Sequence, residues 1–136
     1  MSSKYNVITA GAFRDGMGAC SWSVLDEWGR AVRGGEGRLA GRTGSLWRMF
    51  LRAVFEGLRR VPKNGIAEVW CNGLPPKGEQ EDIRRAVEKI IAERGLLVHW
   101  HNGASRETKD LPTHPCELLW CQERIAEDEV SKALGE

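Results

Sequence analysis

The sequence lacks a long hydrophobic segment of the kind that crosses a membrane as a helix or forms the core of a secretory signal. It contains no run of about 18 apolar residues, the length that spans a bilayer as a helix. Residues 1–6, Met-Ser-Ser-Lys-Tyr-Asn, provide no apolar core of a secretory signal. Internal repeats, low-complexity stretches and domain linkers are also absent. We therefore expect one cytoplasmic domain over residues 1–136, with no membrane partner and with flexible ends at residues 1–4 and 130–136.

The sequence also lacks a CxxC pair. Its four cysteines are Cys20, Cys71, Cys116 and Cys121. This spacing argues against a secreted disulfide framework, so reduced thiols are expected. His99 and His101 alternate with Trp100 on a predicted strand and share one face, and a zinc-like set with Cys71, Cys116 and Cys121 is one interpretation. We favour two histidines on a polar strand face beside buried thiols, with no metal and no other cofactor, because spacing alone supports little.

The two halves of the chain carry opposite net charges: acidic residues are few in the first half, and they outnumber basic residues in the second. Residues 1–66 carry 11 Lys and Arg against 5 Asp and Glu, whereas residues 67–136 carry 9 against 14. Six arginines cluster in the basic half: Arg30, Arg33, Arg38, Arg42, Arg48 and Arg52. A positive stretch of this kind can meet phosphates. On charge alone, a solvated basic face balanced by an acidic tail is an equal alternative.

Tryptophan, in contrast, is abundant, with six residues in a chain of 136. Most of them are expected in the core, because an indole ring buries a large apolar area. One or two at a groove would instead suit stacking on nucleic-acid bases.

Hydrophobic periodicity predicts the element order β-β-β-α-β-α-β-α. Strands are predicted at residues 7–12, 19–25, 30–40, 66–71 and 96–101. The first three form an antiparallel meander, with a turn at 26–29 in which Gly29 takes a positive φ. Helices are predicted from a cap at Thr43 or Ser45 to about Arg60, at 79–94 with Gly95 as the stop, and from His114 to about Leu134. On the first helix, Arg48, Arg52, Glu56 and Arg59 form the polar face.

This order implies an α/β fold with a mixed five-stranded sheet, three antiparallel strands followed by two parallel strands, and helices on both faces. Four segments carry a further likeness: Thr9-Ala10-Gly11-Ala12, the helix through Glu56-Gly57-Leu58, Trp70-Cys71-Asn72-Gly73, and Cys116-Glu117-Leu118-Leu119. They resemble the Thr-Asp-Gly-Ser, Leu-Glu-Ala-Leu, Ser-Thr-Asp-Ser and Cys-Asp-Glu-Leu segments of ribonuclease H. The resemblance covers roughly residues 5–125 and implies a single ribonuclease H-like domain.

The resemblance also implies where a catalytic site would lie. The family holds two divalent cations with four carboxylates, and the metals generate and stabilise the reacting oxygens. The matching positions here are Ala10, Trp47, Asn72 and Glu117. One carboxylate and one amide cannot balance two doubly charged ions, and an indole would fill the space that they need. The resemblance thus implies a degenerate site, with no catalytic residues and no metal.

We therefore favour a pseudoenzyme that binds nucleic acid, an RNA/DNA hybrid or a structured nucleic acid, through its basic face. The expected phosphate contacts are Arg30, Arg33, Arg42, Arg48 and Arg52, with Trp47 stacking or filling a pocket. An alternative is a protein-interaction or assembly module, such as a homodimer. A second alternative is a nuclease that uses Mg²⁺ or Mn²⁺ with a rearranged acid set drawn from Asp15, Glu56, Asp110 and Glu117.

Overall fold

The computed structural model describes residues 3–71, 78–102 and 115–136, without the side chains of residues 102 and 115–117. The strands are β1 (Lys4–Arg14), β2 (Met17–Asp26), β3 (Gly37–Arg42), β4 (Ile66–Cys71) and β5 (Leu97–Asn102). The helices are α1 (Leu46–Leu58), α2 (Glu81–Arg94) and α3 (Pro115–Ala133). No helix in these ranges is both long and apolar enough to cross a membrane.

The five strands form one mixed sheet in the order β3-β2-β1-β4-β5. Strands β1, β2 and β3 pair antiparallel, while β4 and β5 extend the sheet in parallel to β1. The described pairing of β1 with β4 ends at Ile8 opposite Trp70. The predicted fold class and element order are confirmed.

Helices cover both faces of the sheet because side chains alternate along each strand. On one side, Val7 and Val24 pack against Val54 and Leu58 of α1, together with α2; we call this the α1 face. On the other side, Ile8 and Trp70 pack against Leu119 of α3; we call this the α3 face. A Cβ at Gly57 would lie 2.5 Å from Cγ1 of Val7, so α1 approaches β1 closely only because this residue is glycine.

The third strand is shorter than predicted. It starts at Gly37 and not at Arg30, and residues 27–36 form turns with a single bridge between Leu25 and Ala31. Glycine is responsible: Gly34 has φ +69°, and the amide of Gly35 donates to the carbonyl of Val32 in a turn. The predicted turn at Gly29 is confirmed, with φ +82°.

Burial departs from the sequence pattern in three places. Glu56, predicted on the polar face of α1, is only 4% exposed. The expectation that most tryptophans pack the core is wrong, because only Trp22 and Trp70 are buried; Trp28, Trp47, Trp100 and Trp120 are exposed. At the chain's end, α3 continues to Ala133 and Val130 is buried, so residues 130–133 are part of the folded domain.

Candidate functional site

Ala10 occupies the first matched position, in the middle of β1. It is 1% exposed, lies opposite Ser21 of β2 and shares the α3 face with Ile8. The Ser21 hydroxyl donates to the main-chain carbonyl of Gln122 in α3 at 2.7 Å, which holds the helix down on this part of the sheet. Ala10 is therefore enclosed between the sheet and α3, with a methyl group where the resemblance implies a carboxylate.

Trp47 lies on the other side of the sheet, in the first turn of α1. This turn stands against Gly11 and Gly18, whose missing side chains make room for Phe50 and Met49. Trp47 is 39% exposed, and its ring lies 5.9 Å from that of Phe50. Ser45 precedes the helix without a side-chain cap; instead its amide donates to the hydroxyl of Thr43.

The structure describes the other two matched positions only in part. Asn72 lies outside the described residues, and of Glu117 only the backbone, in the first turn of α3, is described. Leu119, two residues later, packs against Ile8 and Trp70. The start of α3 therefore lies over the pairing of β1 with β4, on the face that carries Ala10.

Those acids of the nuclease alternative that lie within the described residues do not form a cluster. Glu56 lies on α1, and its carboxylate contacts the guanidinium groups of Arg52, Arg59 and Arg60 at 2.9 to 3.3 Å. Asp15 is exposed in the turn between β1 and β2 at φ +52°, and Asp110 lies outside the described residues. Within residues 3–71, 78–101 and 118–136, no group of three His, Cys, Asp or Glu is arranged to hold a metal ion.

The structure does bring three of the five predicted phosphate contacts together. Arg42 of β3 and Arg48 and Arg52 of α1 line one groove of about 200 Å³ on the α1 face. Its remaining walls are largely apolar: Cys20, Leu39, Ala40, Gly41, Met49 and Ile83. Burial raises the pKa of the Cys20 thiol to about 12, so the floor of this groove, which we call the arginine groove, is uncharged at neutral pH.

Each arginine of the groove is held by a partial contact that leaves donors available. Arg48 pairs with Asp82 at 2.8 Å, and Arg42 donates to the carbonyl of Asp15 at 3.2 Å. Arg52 pairs with Glu56 through one terminal nitrogen; its Nε is buried without an acceptor among the described residues, but the side chain as a whole is 42% exposed. The hydrogen bond from Arg48 holds the pKa of Asp82 below its ordinary value. The groove is thus a set of oriented cations over an apolar floor.

Arg30 and Arg33 lie elsewhere, in the connection between β2 and β3. Arg42 is registered with Met17 at one end of β2, whereas Arg30 pairs with Asp26 at the other end. The length of the strand separates the two groups by about 30 Å. Trp28, 70% exposed, lies under the guanidinium of Arg30 with 5.1 Å to the ring centroid. The predicted basic face is therefore two separate regions.

The two predicted histidines share a face, as expected, and both of their rings contact the carboxylate of Glu68. His99 Nδ1 lies 2.9 Å from Oε1 of Glu68, and His101 Nε2 lies 2.6 Å from Oε2. Burial raises the pKa of Glu68, but the bonds and charges from the histidines and Lys4 outweigh it and leave the pKa lowered. Cys71 belongs to the opposite face of the sheet, Cys121 is exposed on α3, and the side chain of Cys116 is not described.

Sequence reasoning missed a pocket of about 520 Å³ where β1 ends beside α3. Phe13 and Leu46 form its apolar side, and Glu127 and Asp128 form an acidic wall. Burial, and then the charge of Glu127, raise the pKa of Glu123 one helical turn away. The spacing of Glu123 and Glu127 at i and i+4 was visible in the sequence. The position of Glu127 and Asp128 beside β1 was not, because it depends on how α3 crosses the sheet.

Comparison with known proteins yields no matching family model and no matching curated protein. Solved structures do match. The N-terminal RNase H domain of rv2228c from Mycobacterium tuberculosis, solved as a fusion with maltose-binding protein, is 12% identical with a TM-score of 0.64, covering 98% of this chain and 99% of that one. RNase H1 from Halobacterium salinarum is 14% identical with a TM-score of 0.64, covering 93% and 98%. LC11-RNase H1, solved in complex with an RNA/DNA hybrid, is 14% identical with a TM-score of 0.69, covering 96% and 99%.

These similarities extend over nearly the whole of both chains, and the sheet order β3-β2-β1-β4-β5 agrees with them. The chain therefore has the ribonuclease H fold, as the sequence predicted. At 12–14% identity the likeness concerns the fold, and function has to be argued from the chain's own residues.

Proposed function

We propose that this protein is a catalytically inactive ribonuclease H-fold domain that binds nucleic acid, with an RNA/DNA hybrid as the first candidate ligand, through the arginine groove. The observation that carries the proposal is the meeting of Arg42, Arg48 and Arg52 around one apolar-floored groove. Guanidinium groups donate in a planar fork that fits phosphate oxygens, and such contacts fix a nucleic acid without reading its sequence. One neighbour in fold, LC11-RNase H1, was solved with an RNA/DNA hybrid, which supports this ligand class.

The chemistry around Ala10 supports catalytic inactivity. Two-metal hydrolysis of a phosphodiester, the mode that the resemblance implies, needs carboxylates that hold two cations a few ångströms apart. Ala10 supplies no ligand, and its methyl group is enclosed under α3. The carboxylate of Glu56, one of the acids of the nuclease alternative, is instead surrounded by three arginines. We therefore propose that no Mg²⁺ or Mn²⁺ is needed for function.

The groove arginines differ from the two arginines near Trp28 in what surrounds them. Arg42 and Arg48 stand on two different elements and both line the groove, so two phosphates of one backbone can be met at once. Arg30 is already paired with Asp26, and Arg33 stands on an exposed turn. We propose that the groove provides most of the binding and that Arg30 and Arg33 make weaker contacts.

Removing two groove arginines tests this proposal. Arg42→Ala with Arg48→Ala should weaken binding of an RNA/DNA hybrid about tenfold or more on every sequence, because two phosphate contacts are lost. The slope of log affinity against log salt should fall by about 2. Both quantities are measured by fluorescence anisotropy of a labelled hybrid over a series of salt concentrations.

The matched control is Arg30→Ala with Arg33→Ala, which removes the same charge about 30 Å away. This pair should reduce affinity several-fold less than the groove pair. Equal losses from the two pairs would assign binding to diffuse positive charge and not to the groove. An absence of binding by the unmodified protein at low salt would end the proposal.

A second candidate function is a protein-interaction or assembly module. The observation that favours it is the pocket at the end of β1, where Phe13, Leu46 and Trp47 are all exposed near an acidic wall. Exposed apolar groups of this size commonly mark protein contacts. Light scattering distinguishes this candidate, because a mass that rises with concentration would favour assembly and a constant monomer mass would exclude self-association.

A further inference from the structure

One part of the α3 face has no helix over it among residues 3–71, 78–102 and 115–136. Helix α3 packs mainly on β1, β2 and β3, and it meets β4 chiefly where Leu119 packs against Trp70. On β5, beyond β4, the side chains of His99 and His101 are 51% and 35% exposed. Lys4 of β1 and Glu68 of β4 lie on the same surface, 3.5 Å apart. Among the described residues, this is a polar strip of sheet with no helix over its outer strand.

Two aromatic rings on this strip are stacked. The imidazole of His101 lies on the indole of Trp70, with centroids 4.0 Å apart and planes 10° from parallel. Trp70 is 2% exposed, so His101 covers it and turns its own second face away from the indole. A flat ring placed on that second face would extend the stack at an ordinary spacing.

Hydrogen bonds fix both rings in position. The indole Nε1 of Trp70 donates to Oδ1 of Asn6 at 3.2 Å, and His101 Nε2 is bonded to Glu68. A ring that is already oriented loses little conformational freedom when a ligand stacks on it, and binding is correspondingly stronger. This distinguishes His101 from Trp28, which stands on a turn between strands.

Hydrogen-bond donors for a phosphate lie beside the stack. His99 directs Nδ1 at Glu68, so its Nε2 is directed away from the carboxylate, and its side chain is half exposed. Lys4 has a 46% exposed side chain whose Nζ is 3.5 Å from Glu68. Glu68 itself is only 10% exposed at its side chain, so its negative charge lies behind the donors and not in front of them.

We propose that the open strip of β4 and β5 is a second nucleic-acid site, specific for unpaired bases, in which one base stacks on His101 and its phosphate contacts His99 and Lys4. A base in a duplex is covered on both faces by its neighbours, whereas an unpaired base has a face free to stack on a side chain. The strip belongs to the α3 face and the arginine groove to the α1 face, so the two sites are independent. This inference does not rest on the proposed function of the groove.

Two substitutions at one position test the stack. His101→Phe and His101→Leu both lose the bond to Glu68, but only phenylalanine keeps a flat ring over Trp70. A single strand of about eight nucleotides, the size bound by small sheet domains, is the probe. His101→Leu should bind it about tenfold more weakly than the unmodified protein, whereas His101→Phe should stay within about twofold.

A blunt-ended double-stranded oligonucleotide of the same base composition, with no unpaired bases, is the ligand control. It should bind the two His101 variants equally, because its bases are not available for stacking. Thermal unfolding of each variant verifies that both are folded. Equal single-strand affinity for His101→Phe and His101→Leu would overturn the proposal, as would a His101→Leu variant that binds like the unmodified protein.

The two sites are separated by measuring the single-strand affinities of His101→Phe and His101→Leu again in a protein that also carries Arg42→Ala and Arg48→Ala. The ratio of His101→Phe to His101→Leu affinity should be unchanged there, even though hybrid binding by the groove is lost. Disappearance of the ratio in that background would mean that the single strand binds in the groove, and this would overturn the second site while leaving the groove proposal standing.

Discussion

Replacement of Glu56 by alanine should lower the free energy of unfolding by about 2–3 kcal/mol. The carboxylate is buried and contacts three guanidinium groups, from Arg52, Arg59 and Arg60. Removing it leaves three cations close together without a counter-charge. Breaking a buried ion pair costs about 3–5 kcal/mol. The arginine side chains here are 31–50% exposed, and solvent screening reduces the loss.

Loss of Glu56 also loosens the aromatic packing of α1. Arg60 lies over the ring of Trp22 at 4.9 Å, and Arg52 and Arg59 lie over Phe55 at 5.8 and 5.5 Å. Without the carboxylate these stacked guanidinium groups repel one another. The variant should therefore unfold at a temperature lower by roughly 8–10 °C.

Calorimetry or thermal circular dichroism measures the unfolding temperature of Glu56→Ala. Glu93→Ala is the matched control. Glu93 also pairs with a cation, Lys89, but it is exposed on α2, so its removal should change the unfolding temperature little. A Glu56 variant as stable as the Glu93 variant would show that the arginine cluster does not depend on its carboxylate.

Placing an aspartate at Ala10 should destabilise the fold and should not create a metal site. The position is 1% exposed between the sheet and α3. No ion pair of the described residues involves its register partner Ser21, whose hydroxyl already donates to the carbonyl of Gln122, so the new carboxylate would be buried without a counter-charge there. The expected loss is about 3 kcal/mol or more at neutral pH.

The pH dependence separates charge from size. Burial raises the pKa of an unpaired carboxyl, so the folded state of the variant binds a proton more tightly than the unfolded state. The destabilisation is then largest at high pH and is relieved as pH falls through the raised pKa. Ala10→Asn has the same shape without the charge, and its stability should not show this dependence.

Divalent cations provide the decisive comparison for this variant. Unfolding of Ala10→Asp should occur at the same temperature in Mg²⁺ and in EDTA, because the remaining carboxylates do not complete a site. A clear rise in unfolding temperature in Mg²⁺ would contradict the account, since a ligand that binds only the folded state stabilises it by mass action.

Much of the fold was readable from the sequence because the pattern of apolar residues is local. The run Ile66–Cys71 is a fully predicted strand, since a buried parallel strand is a short continuous apolar segment. Gly95 ends α2 in the left-handed conformation, as the sequence predicted. The third strand failed, because three glycines within residues 34–37 favour turns over pairing.

The candidate sites were less accessible from sequence because they join residues from distant segments. The three arginines of the groove were predicted individually, but only the structure shows that they line a groove between β3 and α1, away from Arg30 and Arg33. The stack of His101 on Trp70 depends on the register of β4 with β5. The burial of Glu56 could not be anticipated, because its carboxylate is paired with Arg52 of α1 and with Arg59 and Arg60 just beyond the end of that helix.

The most direct test of the account uses one labelled RNA/DNA hybrid in Mg²⁺ or Mn²⁺. The account predicts that the hybrid is bound, with an affinity that falls steeply with added salt, and that it is recovered uncut after prolonged incubation. Metal-dependent cleavage that disappears on Glu117→Ala would contradict it, because that result requires a working carboxylate site in the fold.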